Sequence, residues 1–248
     1  MRKKTVFKFL DPQILVNRVR PSPSLLLAHN IGLGKGALAR YNLASVEVKF
    51  FMFSTGAQSL SIDNAVMGTI PKRLLFTMKK NTEFLGSMTT KPYYFLHYDL
   101  NSFALNVNGR QIPTEVLSMG MDHEKTLVMG YTTLFEGSGI HHSNSGLQIT
   151  HDMCIKGYFM LLFDLTPDRA NSERHTSHPG NGNIGAELKF SKTLPKPITF
   201  IFYLEYDNSF RVDTSRTVTT DFWKQTRTRC RYCVRSWESS PPICCRAL

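Results

Sequence analysis

Residues 184–207 alternate apolar and polar side chains with a period of two, in two runs flanking a connection that cannot join a sheet. In the first run Ala186, Leu188 and Phe190 alternate with Glu187, Lys189 and Ser191, the pattern of a strand with one dry and one wet face. In the second, Ile198, Phe200, Phe202, Leu204 and Tyr206 share one face, and Thr199, Ile201, Tyr203, Glu205 and Asp207 share the other. Between them, Lys192-Thr193-Leu194-Pro195-Lys196-Pro197 holds two prolines without N–H groups to donate, so it lies outside any ladder. The two runs are expected to form a hairpin sealing one edge of a β-sandwich.

Further strands are expected at 6–10 and 14–20, interrupted at Asp11-Pro12, and at 43–53, where Val46, Val48, Phe50 and Met52 alternate with Glu47, Lys49, Phe51 and Phe53. Residues 73–78 and the aromatic stretch 93–105 read as two more. Asn108-Gly109 is a type I′ hairpin signal whose return strand stops at Pro113. Residues 157–165 form a continuously apolar run expected to be buried on both faces. Two helices interrupt this pattern. Ser22 and Pro23 offer a cap and an early-helix proline before Leu25-Leu26-Leu27-Ala28-His29, with Gly32, Gly34 and Gly36 ending the helix. Leu127, Val128, Tyr131, Leu134 and Phe135 recur at helical spacing after a candidate cap at Asp122, with Gly137 beyond the end. About eight strands, unequal connections and no βαβ alternation give the fold class: all-β, a jelly-roll or related Greek-key β-sandwich, with one or two short helices in its connections.

At 248 residues and 42% hydrophobic composition the chain can bury one large core. Its net charge of +11 resides at its ends. Residues 1–20 hold six bases against Asp11, and residues 223–248 hold six bases against Glu238, so each end carries +5 and the body +1. A basic groove for nucleic acid in the body is therefore not expected. The first apolar run is too short for a signal peptide and no stretch is long enough to span a bilayer, so no membrane partner is expected. The body holds one cysteine, Cys154, and no N-glycosylation signal, which points to a reduced intracellular setting rather than secretion. The expected organisation is a basic end at 1–5, a sandwich domain at 6–222 and a basic, cysteine-rich, disordered tail at 223–248.

No motif carries chemistry. Ile31-Gly32-Leu33-Gly34-Lys35-Gly36 lacks phosphate-loop spacing and follows a helix, so it reads as a helix end. His123, His141, His142, His151 and Cys154 form the densest metal-capable group, but adjacent histidines on a strand point to opposite faces, and loop histidines are the better reading. Cys230-Arg231-Tyr232-Cys233 with Cys244-Cys245 makes a poor zinc set, and Cys245-Arg246-Ala247-Leu248 a poor prenylation box. No nucleophile–base pair emerges, and the expectation is a protein that is not an enzyme, with no catalytic, cofactor or metal residues and no cofactor. Two other readings make distinct forecasts. A ligand- or carbohydrate-binding sandwich binds glycans as a monomer, and a cupin-like metalloenzyme purifies with stoichiometric metal.

Several segments closely resemble one family: Val19-Arg20-Pro21-Ser22-Pro23-Ser24-Leu25-Leu26-Leu27-Ala28-His29, Pro71-Lys72-Arg73-Leu74, His97-Tyr98-Asp99-Leu100, Phe163-Asp164-Leu165-Thr166-Pro167-Asp168 and Tyr203-Leu204-Glu205-Tyr206-Asp207-Asn208. Over residues 6–222 the chain resembles the C-terminal half of the hexon-like major capsid proteins of Maverick/Polinton elements and adintoviruses. The resemblance implies the second jelly roll of a double-jelly-roll capsid protein. Such subunits form pseudo-hexagonal trimers in an icosahedral shell, with further copies and other capsid proteins as partners and the virion as location. Met1 falls about where the second jelly roll begins and the pattern ends after Phe222, so an endogenised fragment of such a subunit is expected. A half molecule is expected to expose the apolar face that packs on its missing neighbour and to be poorly soluble alone. The polar stretches 137–146 and 166–183 are the candidates for intersubunit contacts.

Overall fold

A computed structural model of the chain describes residues 8, 10–11, 13–87, 89–119, 127–141, 143–171 and 180–220. In chain order the elements are α1 (Pro23–Gly34), β1 (Ala39–Phe53), β2 (Ser59–Thr69), β3 (Arg73–Lys80), α2 (Asn81–Phe84), β4 (Leu100–Val107), β5 (Arg110–Ser118), α3 (Leu127–Ser138), α4 (His151–Lys156), β6 (Met160–Asp164), β7 (Asn181–Phe190), β8 (Ile198–Val212) and β9 (Val218–Thr220).

Pairing is nested and antiparallel: β1 with β8, β2 with β7, β3 with β6 and β4 with β5. A long hairpin of four strand pairs rolls up into two sheets, ordered β1-β8-β3-β6 and β2-β7-β4-β5, with β9 appended to β8. This sheet order is a jelly roll. The expected hairpin between the two alternating runs is corrected here: β7 and β8 lie in different sheets, each between two neighbours, and neither is an edge. The diproline loop crosses from one sheet to the other, a span of about 10 Å. It plugs the end of the sandwich with buried Leu194, whose N–H donates to Ala57 O (3.0 Å) and whose carbonyl accepts from Gly56 N–H (3.0 Å). The faces of both strands are nevertheless as expected, since Ala186, Leu188, Phe190, Ile198, Phe200, Phe202 and Leu204 are all buried.

The core sits between the sheets. Leu74, Phe76 and Met78 of β3 and the inner face of β8 meet Phe103 and Leu105 of β4 and Ile184 to Phe190 on β7. Burial of each such side chain contributes about 1.5–3 kcal/mol.

Other expectations are revised. Residues 14–20 form no strand, and Ile14, Leu15, Val16 and Val19 are exposed. The sheets begin at Ala39. Ser22 does cap α1, its Oγ accepting from Leu25 N–H (3.4 Å), but the helix runs through Gly32 and buries no residue. β2 went unrecognised because a bulge between Ile62 and Val66, with Asn64 at φ 54°, breaks the period. The strand expected over 93–105 begins only at Leu100, because Tyr98 and Asp99 both take positive φ. Asn108 (φ 52°) and Gly109 (φ 75°) make the expected turn, but β5 continues through Pro113, which an edge strand tolerates. β6 is shorter than expected, and α3 packs against it. Gly137 is inside α3 instead of beyond it, and the Asp122 cap lies outside the described residues.

The junction of α3, β6 and the loop after it is polar and hydrogen-bonded, apart from Arg73 Nε, which is buried without a partner. Asp164 accepts from the N–H (2.9 Å) and hydroxyl (2.6 Å) of Thr166 and from Asn171 N–H (3.3 Å). Buried Asn171 donates to Gly137 O (2.9 Å) and accepts from Arg73, which faces Glu205 at 3.6 Å. Asn171→Ala leaves a buried carbonyl and a guanidinium N–H without partners, and is expected to destabilise the chain by about 1–3 kcal/mol in chemical denaturation.

His97 sits at the break before β4. Its Nδ1 accepts from Asp99 N–H (3.0 Å), and burial holds the imidazole below its ordinary pKa against a smaller upward pull from Asp99. The unfolded chain, with a histidine pKa of about 6.5, therefore binds the proton first. The stability His97 contributes is present above that pH and is lost as pH falls from about 6.5 through the lower folded value. The unfolding midpoint is expected to drop between pH 7.5 and 5, and His97→Asn, which keeps an acceptor but does not titrate, is expected to shrink that drop.

Candidate association surface

β1 decides what the molecule shows to the outside. Phe51 and Phe53 turn inward, stacking edge-on to Phe202 (5.7 Å) and tilted on Phe200 (4.7 Å). Strand periodicity then forces Val46, Val48, Phe50 and Met52 outward, where they are 47%, 50%, 53% and 58% exposed. On β8 their register partners are Glu205, Tyr203, Ile201 and Thr199. Tyr203 is 40% exposed and extends the strip, while Phe84 meets Phe50 at 5.1 Å and bounds it. Salt bridges frame it: Lys80 with Glu83 (3.3 Å) on one side, Lys72 with Asp207 (2.7 Å) on the other. A contiguous apolar strip inside a charged rim is the surface signature of association.

Glu47 and Lys49 point to the inner side of β1 at the open rim of the sandwich, 3.8 Å apart and with side chains 28% and 30% exposed. The Tyr206 phenol nearby has its pKa raised, first by burial and then by the Glu47 carboxylate.

The two free sides of this sheet differ. At β6, α3 closes the surface: Leu162 N–H donates to Thr133 Oγ1 (3.3 Å), and Gly137 lies against Leu162. Among the described residues β1 has β8 as its only strand neighbour. No described residue of α1 or of 13–22 is buried there or elsewhere.

The other candidates do not converge. Of the histidine group, His123 and His142 lie outside the described residues; His151 starts α4 against the Tyr131 ring (5.5 Å), and Cys154 is buried, its thiol pKa raised by desolvation. No cluster of three metal-capable side chains occurs among the described residues. The four tail cysteines are outside the described residues. Residues 31–36 close α1, and the Leu33 carbonyl accepts from the Thr214 hydroxyl (2.6 Å). That helix end offers carbonyls, the wrong polarity for phosphate. A shallow hollow lined by Glu83, Thr90, Lys91 and Tyr94 holds no nucleophile–base pair. No described helix is long and apolar enough to cross a membrane. Of the polar stretches, 137–138 belong to α3, 166–171 fold onto Asp164, and 172–179 lie outside the described residues. Sequence reading missed the outward strip because it does not reveal which of two apolar faces a core takes.

Neither a protein-family model nor a curated protein sequence matches the chain. Among solved structures it is similar to the PBCV-1 virus capsid, at 11% identity and TM-score 0.45, covering 76% of this chain and 52% of that one. It is similar to a chain of the Sputnik virophage at 14% identity and TM-score 0.40, covering 80% and 42%. Against the mavirus major capsid protein the figures are 10%, 0.37, 74% and 41%. The chain spans about half or less of each of these proteins, and the assignment of its own fold rests on its sheet order.

Proposed function

We propose that this chain is a non-catalytic structural module of a major capsid protein: the second jelly roll of a double-jelly-roll subunit of the Maverick/Polinton or adintovirus type, acting in the virion. Its partners are further copies, arranged as pseudo-hexagonal trimers when the subunit is complete, and other capsid proteins. The module spans 6–222 and the basic segment 223–248 is an appendage to it. The observation that carries this reading is the outward apolar strip Val46-Val48-Phe50-Met52 on a jelly-roll sheet, a surface built to be covered by protein. The resemblance of the segments around Pro71, His97, Phe163 and Tyr203 to that family supports it.

The test is the transcript upstream of the Met1 codon. An in-frame sequence patterned as a first jelly roll is expected. Unrelated sequence there, together with a purified chain that binds glycans as a monomer, would favour the carbohydrate-binding reading instead.

A further inference from the structure

We propose that β1 is a homotypic docking edge, pairing antiparallel with β1 of a second copy about a two-fold axis at Val48. The inference does not depend on the capsid reading. It concerns the strand's edge, whereas the apolar strip concerns its face.

β1 is a 15-residue edge strand whose outer side no strand occupies among the described residues, while the opposite edge of the same sheet is closed by α3. Native edges are commonly blunted by an inward-pointing charge, which a docking strand would bury unpaired. β1 has two inward charges of opposite sign, Glu47 and Lys49, two residues apart on one face, which face each other at 3.8 Å within the chain and can each take a partner across a paired edge. That spacing makes the edge self-complementary in a single register. With Val48 opposite Val48 of the partner copy, Glu47 faces the copy's Lys49 and Lys49 its Glu47, while Val46 faces Phe50 and Phe50 faces Val46. Shifting the axis to Glu47 or to Lys49 sets like charges directly opposite each other, which is unfavourable. A register centred between residues turns one copy's apolar strip to the face of the other's charges. Charge complementarity thus selects both the occupant, a second copy, and its alignment.

The test uses the full 248-residue chain. Mass photometry and sedimentation are expected to show even-numbered association for the native protein. Lys49→Glu places Glu47 opposite a carboxylate at both symmetric positions and is expected to weaken association roughly tenfold or more. The exchange Glu47→Lys with Lys49→Glu recreates the complementarity and is expected to restore it. Because a rim charge change can disturb folding, a second measurement reads the register directly. Val48→Cys is expected to form an intermolecular 48–48 disulfide on mild oxidation, identified by peptide mapping, since opposed residues lie about 4.5–5.5 Å apart between Cα atoms. Met52→Cys, about four residues off the axis, is expected not to link to its copy.

A native chain without even-numbered species, a charge exchange that fails to restore association, or equal linking at 48 and 52 would overturn the proposal. A chain that forms no shell yet links at 48 upholds it while counting against the capsid reading. Trimers that are identical in all variants do the reverse.

Discussion

Phe76→Ala is expected to lower the stability of the folded chain by about 3–5 kcal/mol, the range for removing a buried phenylalanine ring. Phe76 is fully buried on β3 at the centre of an aromatic cluster, its ring 4.7 Å from Phe103 on the facing sheet and 5.7 and 5.5 Å from Phe200 and Phe202 on the neighbouring strand. Truncation removes contacts to both sheets at once. Backbone pairing on both sides of β3 hinders collapse of the resulting void. For a domain of this size the loss corresponds to about 6–20 °C in melting temperature. Phe50→Ala, on the outer strip, is expected to shift it by far less. Equal losses at the two positions would mean that the inner and outer faces of the sheet are wrongly assigned.

Gly137→Ala is the second large effect, and here a methyl group is added. A Cβ at this position would lie 2.5 Å from Leu162 Cγ and 2.7 Å from its carbonyl oxygen, so α3 must lift off β6. The backbone oxygen cannot rotate away as a side chain can. About 1–3 kcal/mol of destabilisation is expected from overpacking, despite the gain of roughly 1 kcal/mol in intrinsic helix propensity. Gly32→Ala in α1, where nothing lies within 4 Å, receives the propensity gain alone and is expected to cause no loss. Thermal unfolding of the two variants side by side checks the contrast. Because Asn171 bonds to the Gly137 carbonyl, the loss at Gly137 is expected to be less than additive with that of Asn171→Ala.

Local pattern carried much of the fold class and little of the pairing. The faces of β7 and β8 were legible because their alternation is uninterrupted and the face opposite Phe200, Phe202 and Leu204 is broken by Thr199, Glu205 and Asp207. Their partners were not legible. Phe53 pairs with Ile198 and Ser59 with Lys189, contacts spanning most of the chain that no local periodicity encodes. The short diproline link instead favoured a false hairpin. β2 was hidden by one bulge, and Tyr98 and Asp99 cut an aromatic run that reads as strand. At β1 both faces are apolar toward the C-terminal end, and the rings of Phe51 and Phe53 against Phe202 and Phe200 decide which one turns inward. The charge pattern Glu47-Val48-Lys49 is plain in the sequence, yet it acquires meaning only once topology makes β1 an edge.

If, as proposed, this jelly roll presents surface that other protein covers, sedimentation velocity of the purified 248-residue chain over a concentration series reads that covering as self-association. Association that grows with concentration and weakens when Phe50 and Met52 are replaced by serine is the expected result. A single 28.2 kDa monomer persisting to about 100 μM, far above the dissociation constants of specific complexes, would contradict it.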